Sequence, residues 1–340
     1  MTYSIEPLSR SNAHRWEDFN RRCGEGSPFH SLKWKDLLED VLGLQLRYHL
    51  IFENQKVVGI CPFVKRSIKV FRGLDGTPRS ECDNIILDSS FNTNHFNEIL
   101  DLFSENYSFL IFSTYDSTLS DRIDYINVSH EDANSIILDL NQNPPEAIWA
   151  DILSKDERYK VSRFEKGGFT VQEIESGGDL DKFYQYYREN MIHINGYILP
   201  FAFFQGLLDS FSPDEVRIAI VTNNGVFAGG NLAILDPVRK IAYFQYLALN
   251  RDLPNKYSPS YYLSWEGINW AWNNGYERIS FGRERADNPR ARNKAKFGAE
   301  LVPIHSRTVL LSKTVSLLYQ LKQTFSERQQ AHAPSTGRVS

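Results

Sequence analysis

The chain has 340 residues, of which 41% are hydrophobic and 24% charged, and its formal net charge is −4. This length favours two domains, and the small negative charge does not favour nucleic-acid or membrane-surface binding along the whole chain. No apolar run approaches the roughly 18 residues needed to cross a bilayer, and the first residues lack the basic and apolar segments of a secretion signal. We therefore predict a cytoplasmic protein without a membrane span, whose cysteines (Cys23, Cys61 and Cys82) are reduced thiols.

The first half predicts helices and strands in a mixed order. Trp34, Leu37 and Leu38 recur at helical spacing within residues 32–42, and Ser27 or Ser31 could cap the start of that helix. Such an order is typical of an α/β or α+β domain. The other predicted elements are strands at 46–52, 57–64, 84–87, 108–113 and 135–140, taken as one sheet, and a helix at 95–103.

A domain boundary is predicted at residues 141–145, where paired asparagines and prolines (NQNPP) end the preceding strand. The prediction is an N-terminal domain at 1–142 and a C-terminal domain at 143–325. The polar tail at 326–340 offers nothing to bury, so it is expected to be disordered.

The second half opens with a helix around residues 149–153 that runs toward a basic stretch at 158–163 and ends at Gly167 and Gly168. Ser258 and Pro259 are a capping residue and a first-turn proline, which predicts a helix from there to about Asn273. The other predicted elements are strands at 169–174, 216–221, 226–235, 240–249, 276–281 and 307–311, helices at 180–191 and 201–211, a basic loop at 282–296, and a final helix through 318–325.

Two segments of the chain repeat one pattern. Residues 52–60 (FENQKVVGI) and 222–230 (TNNGVFAGG) each read as a strand, a polar turn and a second strand that carries a glycine. Gly59 and Gly229 lie 170 positions apart, which is half of 340. The echo predicts one structural unit used twice, with a cleft between the copies, and such clefts are favoured ligand sites.

The helix that follows Ser258 is one candidate binding site. Its free backbone N–H groups and its dipole favour an anion, and the preceding loop places Arg251 and Lys256 beside them. The sequence leaves two interpretations open: a phosphate or pyrophosphate seat, or an ordinary capped helix with two solvated cations.

A second candidate is the cation-rich run at residues 282–298 (GRERADNPRARNKAKFG). Such a run is usually a solvated loop. It follows a predicted strand, however, and a protein of net negative charge that concentrates cations here is expected to meet an anionic ligand. The basic stretch at 158–163 could face it.

Other chemistry is poorly represented in the sequence. There is no nucleophile elbow, zinc-protease motif, P-loop or dinucleotide fingerprint, and the eight histidines show no ligand spacing. We predict no metal site and no covalent nucleophile. Tyr243 and Gln245 share one face of a strand and could present polar groups to an acceptor, or form a satisfied pair in the core.

Taken in order, several segments resemble the Fem-type and BioF-like branch of the GNAT acyltransferase superfamily. They are residues 27–34 (SPFHSLKW), 57–63 (VVGICPF), 265–276 (WEGINWAWNNGY), 279–283 (ISFGR) and 293–299 (NKAKFGA). The last resembles the family's Phe-Lys-x-x-aromatic-Gly signature, with Asn293 in place of the phenylalanine and Lys294 as the lysine. The GNAT pyrophosphate signature is absent, since residues 255–260 (NKYSPS) stand in its place.

The resemblance implies an α/β (α+β) fold of two tandem GNAT-like domains, each a mixed, mostly antiparallel sheet flanked by helices, with the C-terminal domain active. It implies acyl or aminoacyl transfer from acyl-CoA or aminoacyl-tRNA, with no tightly bound cofactor, to an amine on a small molecule or a glycan or peptide precursor. Cell-envelope or polysaccharide biosynthesis is the associated setting. tRNA is then a partner to consider, and DNA is not.

The resemblance also implies roles for particular residues. Tyr243 could accept the proton of the amine, beside Gln245 and an oxyanion-binding backbone N–H group of residues 243–247. Lys294 would hold a phosphate of donor or acceptor. The other predicted donor-binding residues are Lys256, Ser258, Arg283 and Lys296. Two alternatives remain: an inactive scaffold or binding protein of an envelope or polysaccharide assembly system, and an RNA-binding module that uses the basic loop.

Overall fold

The computed structural model describes residues 2–81, 84–130, 133–174, 177–254 and 256–331, without the side chains of residues 177 and 325–331. Cys82 and residues 332–340 of the predicted tail lie outside the described residues, whereas the backbone of residues 326–331 belongs to the last helix. The helices are α1 (Ala13–Arg22), α2 (Leu32–Leu42), α3 (Phe96–Ser104), α4 (Ser117–Asp121), α5 (Pro145–Ala147), α6 (Lys155–Glu165), α7 (Gly177–His193), α8 (Phe201–Ser210), α9 (Pro259–Asn273), α10 (Pro289–Ala295) and α11 (Lys313–Ala331).

Fifteen strands are formed by the described residues. They are β1 (Tyr3–Pro7), β2 (Leu46–Glu53), β3 (Lys56–Ile68), β4 (Phe71–Gly76), β5 (Ile86–Leu87), β6 (Phe109–Thr114), β7 (Asn127–Ser129), β8 (Asn134–Asp139), β9 (Thr170–Glu173), β10 (Val216–Asn223), β11 (Val226–Asp236), β12 (Ile241–Leu249), β13 (Arg278–Glu284), β14 (Glu300–Pro303) and β15 (His305–Leu310). One sheet has the order β1-β2-β3-β4-β6-β15-β7, with β5 beside β3, and the other has the order β14-β8-β13-β12-β11-β10-β9. The predicted α/β (α+β) class with two mixed sheets is confirmed.

The repeated pattern in the sequence is a repeated hairpin in the fold. In the β2–β3 hairpin the register shifts between Ile51 and Phe52, and Ile51 lies opposite Gly59. In the β10–β11 hairpin it shifts between Val221 and Thr222, and Val221 lies opposite Gly229. Each of these positions differs from its counterpart by 170, so even the bulge recurs.

The first turn residue of each hairpin has the same backbone conformation. Asn54 and Asn224 both adopt a positive φ, of 56° and 48°. Two-residue hairpin turns require this left-handed conformation, which asparagine tolerates better than most residues. The polar turn in each copy is therefore what permits the tight reversal.

Two strands are exchanged between the sheets, which corrects the sequence-based assignment. We expected residues 135–140 to complete the first sheet, but β8 pairs with β13 and β14 in the second. Likewise β15, expected in the second domain, pairs with β6 and β7 in the first sheet. The alternation of apolar residues specifies which face of a strand is buried, but it does not specify the neighbouring strand. The predicted domain boundary at residue 142 therefore divides the chain but does not separate the two sheets, since each sheet contains a strand from the other half.

The two halves share one hydrophobic core. Phe29 and Trp34 from the first half are fully buried against Tyr243 and Phe203 from the second, with ring centroids 5.0 and 5.9 Å apart respectively. Helix α2 carries Trp34 and is capped by the Ser31 side chain, which accepts from the Trp34 backbone N–H. Aromatic burial of this extent fixes the halves against each other, so a site formed by both can be rigid.

Candidate functional site

The strands β12 and β13 part from each other in the middle of the second sheet. Their parallel pairing covers three residue pairs and ends at Tyr243 opposite Ser280. Just beyond, Gln245 is an extra residue in β12 relative to β11, and β13 gains one residue over β8 between Ser280 and Arg283. Because extra residues bend and twist a strand, the two strands diverge here and leave their facing edges open.

A cavity of about 390 Å³ occupies this opening. Its walls come from the diverging strands, from the start of α9, from α10 and from the end of α7. Apolar and aromatic side chains predominate, and a few polar groups converge on the space, which is typical of a small-molecule site. The lining residues include Asn190, Asn231, Phe244, Gln245, Arg251, Ser264, Phe281, Arg290 and Lys294.

Lys294 is the cation placed most directly in this cavity. It lies on α10, which forms within the predicted basic loop because Asn288 caps it and Pro289 starts it. Its ammonium donates to the Ser264 hydroxyl at 2.8 Å and lies 4.4 Å from the centre of the Phe281 ring. Burial among these groups lowers the pKa of Lys294 to about 8. The lysine of the signature is thus held as a poorly solvated cation.

A carboxylate from the first half of the chain reaches the point where the strands part. Glu81 is buried, with 4% of the residue exposed. Its two oxygens accept hydrogen bonds from Gln245 on β12 and from Ser280 on β13. Burial raises the pKa of Glu81, although both hydrogen bonds and Arg283 favour the ionised form. Glu81 was not predicted as a site residue, because the only signal in the sequence is that it is an acidic residue in a turn-rich segment.

The corresponding opening in the first sheet is filled by the chain itself. There the parallel strands β4 and β6 pair only at Gly73–Phe109 and Leu74–Leu110. Beyond them the backbone N–H of Asn84 donates to the carbonyl of Ser113, and the Asn84 side chain accepts from the Ser113 N–H. A Cβ on Gly76 would collide with the Asn84 amide. The open copy is therefore the second one.

The start of α9 is only partly the site that the sequence suggested. Arg251 reaches the cavity and donates to Asn190 at 2.7 Å. Ser258 occupies the capping position, but its side chain makes no capping hydrogen bond. Lys256 is exposed and lies over the Tyr257 ring, 4.9 Å from its centre. Neither Lys256 nor Ser258 lines the cavity, and Asn255 lies outside the described residues.

The remaining predicted site residues are Tyr243, Arg283 and Lys296, and they lie at three different places. Tyr243 is buried against Phe29 in the shared core and does not line the cavity. The bulge explains this, because an extra residue at Gln245 interrupts the alternation that placed both side chains on one face. Arg283 donates to the Glu81 backbone carbonyl at 3.2 Å. Lys296 forms an ion pair with Glu157 at 3.1 Å and lies on the outer side of α10.

Two further polar groups at the cavity were not predicted. The Asn231 side chain is buried, and its amide donates to the Leu263 carbonyl at 3.4 Å, whereas its Oδ1 has no hydrogen-bond partner among the described residues. The Ser264 hydroxyl donates to the Ser260 carbonyl and accepts from Lys294. Asn231 follows the paired glycines of β11, and Ser264 lies in the apolar stripe of α9. Neither position carried a sequence signal.

The described residues include no group of three or more His, Cys, Asp and Glu side chains arranged to hold a metal ion. Within the same residues, no helix has the combination of length and apolar character that a bilayer span requires.

The elements around the opening match a known domain family. Residues 154–289 match the profile of the acetyltransferase (GNAT) domain family, and this region contains β9 to β13 and therefore both diverging strands. The predicted resemblance to a Fem-like GNAT protein is confirmed for the fold.

Similar solved structures span nearly the whole chain. FemX is 12% identical, with a TM-score of 0.66, over 94% of this chain and 99% of that one. A tandem GNAT protein from the clavulanic acid biosynthesis pathway is 10% identical, with a TM-score of 0.58, over 92% and 99%. L-PGS from Bacillus licheniformis is 13% identical, with a TM-score of 0.50, over 87% and 95%. No curated protein sequence matches the chain significantly.

Proposed function

We propose that this protein transfers an acyl or aminoacyl group from an activated donor to an amine, using the cavity between β12 and β13. The observation that carries the proposal is the Lys294 ammonium, which lies in the opening between β12 and β13 and donates to the Ser264 hydroxyl. The GNAT family match over the same strands supports acyl transfer in general.

The chemistry requires a site for charge and alignment rather than a protein nucleophile. The amine nitrogen attacks the donor carbonyl, a C–N bond forms, and negative charge develops on the carbonyl oxygen. The C–S or C–O bond to the leaving group then breaks, and the proton lost by the nitrogen passes through solvent to the leaving thiolate or alkoxide, which departs as the thiol or alcohol. A poorly solvated cation stabilises such charge strongly, so Lys294 is assigned to the oxyanion or the leaving group. Open backbone N–H groups of residues 244–247 are candidates for the same role.

Two donor classes fit these residues. An acyl thioester such as acyl-CoA would place a narrow arm between the strands. An aminoacyl ester on tRNA would need a basic approach, which Arg251 at the cavity and Arg290 on α10 could provide. The acceptor proposed is an amine on a small molecule or on a glycan or peptide precursor of envelope or polysaccharide assembly, in the cytoplasm.

The test is a donor screen with a matched pair of variants. Purified protein is incubated with acyl-CoA and aminoacyl-tRNA donors and a pooled amine library, and products are detected by their mass. We expect transfer by the unaltered chain and by Lys296→Met, and a loss of at least 100-fold in Lys294→Met, in line with the loss of a group that stabilises transition-state charge.

The control isolates the role of the cavity. Lys296 follows the last residue of α10, two positions after Lys294, but pairs with Glu157 and does not line the cavity. Equal loss in both variants, or full activity in Lys294→Met, would contradict the proposal. Donor binding without any product would instead favour the scaffold alternative.

A further inference from the structure

We propose that Glu81 is a positioning residue for the transfer reaction: its carboxylate orients the Gln245 amide, so that the amide oxygen accepts a hydrogen from the attacking amine. Glu81 acts through Gln245, which lines the cavity, whereas Glu81 itself does not. This inference rests on the proposed function, since it names the group that aligns the acceptor.

The orientation follows from hydrogen-bond chemistry. A carboxylate can only accept, so it must hold Gln245 by its amide Nε2, as observed. The amide plane is then fixed, and Oε1 is the acceptor that Gln245 has left to offer a ligand. An acceptor oxygen suits an amine nucleophile, because holding one N–H directs the nitrogen lone pair toward the donor carbonyl.

The position of Glu81 connects the reaction site to both strands at once. Its second oxygen accepts from Ser280, the last residue of the parallel pairing. Gly282 adopts a φ of +93°, and a Cβ there would lie 3.3 Å from the Glu81 carboxylate. The bulged backbone of β13 therefore leaves little room beside the Glu81 carboxylate, and this restricts the positions that the carboxylate can take.

The segment that supplies Glu81 also closes the first copy of the opening. Asn84 fills the gap between β4 and β6, only three residues after Glu81. The opening of the first sheet is thus filled, while the same segment contributes the Glu81 side chain to the opening of the second sheet. This explains why the N-terminal GNAT-like domain has no cavity between its parallel strands, β4 and β6.

Ionisation of Glu81 should control the orientation of Gln245. The charged and titratable groups that face it are Arg283 from β13, Tyr246 from β12 and Tyr115 after β6, whose hydroxyl donates to the Glu81 carbonyl. Protonation of the Glu81 oxygen that faces Gln245 places an O–H there, which cannot donate to an amide NH₂ and instead favours an amide turned with its oxygen toward Glu81. Since burial raises the pKa of Glu81, this change falls closer to neutrality than for an ordinary glutamate.

The experiment compares Glu81→Gln with Glu277→Gln, an exposed carboxylate at the far end of β13 that pairs with Lys240. With donor saturating, we expect kcat for Glu81→Gln to fall about 10- to 100-fold, the scale of a lost charged hydrogen bond, with donor Kd changed less than twofold. The acidic limb of the pH–kcat profile should disappear, while Glu277→Gln should match the unaltered chain. A kcat within twofold, or an unaltered acidic limb, overturns the proposal.

A second measurement needs neither activity nor a stable Glu81 variant. The Gln245 side-chain amide, labelled with ¹⁵N and assigned by its loss in Gln245→Ala, should shift as the pH of the intact protein is lowered until Glu81 is protonated, at a pH above the range of an ordinary glutamate. A resonance that does not move overturns the proposal. If no donor supports transfer by the intact chain, the proposed function fails, whereas the link between Glu81 and Gln245 still depends on this titration.

Discussion

Replacing Lys294 by methionine should stabilise the protein while abolishing transfer. The buried ammonium has its pKa lowered from 10.5 to about 8, which corresponds to about 3 kcal/mol of disfavoured charge at neutral pH. Methionine retains the length of the side chain and removes the charge. It also loses the hydrogen bond to Ser264, worth about 1 kcal/mol, and the contact with the Phe281 ring, worth about 0.5–1 kcal/mol. The expected net gain at pH 7 is about 1–2 kcal/mol.

The pH dependence of this gain distinguishes the cause. Below pH 8 the lysine is protonated in both the folded and unfolded chains, so the full penalty is present. Between pH 8 and 10.5 the folded chain releases the proton while the unfolded chain keeps it, and the unaltered protein becomes more stable as the pH rises. The advantage of Lys294→Met should therefore shrink by about 2 kcal/mol between pH 7 and 9.5.

Urea unfolding at the two pH values, followed by tryptophan fluorescence, measures the difference. Lys296→Met is the control, because the Lys296 side chain is 43% exposed and solvent screens its ion pair with Glu157, which should contribute about 1 kcal/mol or less. If Lys294→Met were less stable than the unaltered chain at pH 7, or if its advantage did not depend on pH, then Lys294 would not be a desolvated cation.

Three other outcomes follow from the same site. Transfer should decline above pH 8 as Lys294 deprotonates, and Lys294→Arg should extend the plateau to higher pH if the arginine keeps measurable activity in a pH–rate profile. Asn231→Leu should leave the free energy of unfolding nearly unchanged, since the described residues offer Oδ1 no partner and the amide makes only a 3.4 Å hydrogen bond to the Leu263 carbonyl, but should weaken donor or acceptor binding about tenfold by calorimetry. Gly282→Ala should destabilise by about 1–2 kcal/mol in urea, because its φ of +93° is unfavourable for a residue with a Cβ.

The duplicated hairpin was predictable because its signals are local. A polar turn between apolar runs depends on residues adjacent in the chain, and Asn54 and Asn224 adopt the left-handed conformation that such turns need. The helix from Pro259 to Asn273 was predictable for a similar reason, since proline at its start and a glycine just beyond its end limit it. Lys294 was found through the resemblance of its segment to a family signature.

Other features could not be read from the chain. Tyr243 and Gln245 were expected on one face of a strand, and a single bulge sends one into the core and the other to the cavity. A bulge depends on how a strand pairs with its neighbour, which composition and spacing do not reveal. The exchange of β8 and β15 between the sheets has the same origin.

The sequence by itself determined the local elements and the repeated unit, because turns, caps and apolar periodicity act over a few residues. Only the tertiary structure decided which copy of the opening is filled, which of the clustered cations is buried, and that Glu81 meets residues some 160 to 200 positions away. Those outcomes depend on contacts between segments that are distant in the sequence, and these contacts are set by strand pairing and side-chain burial.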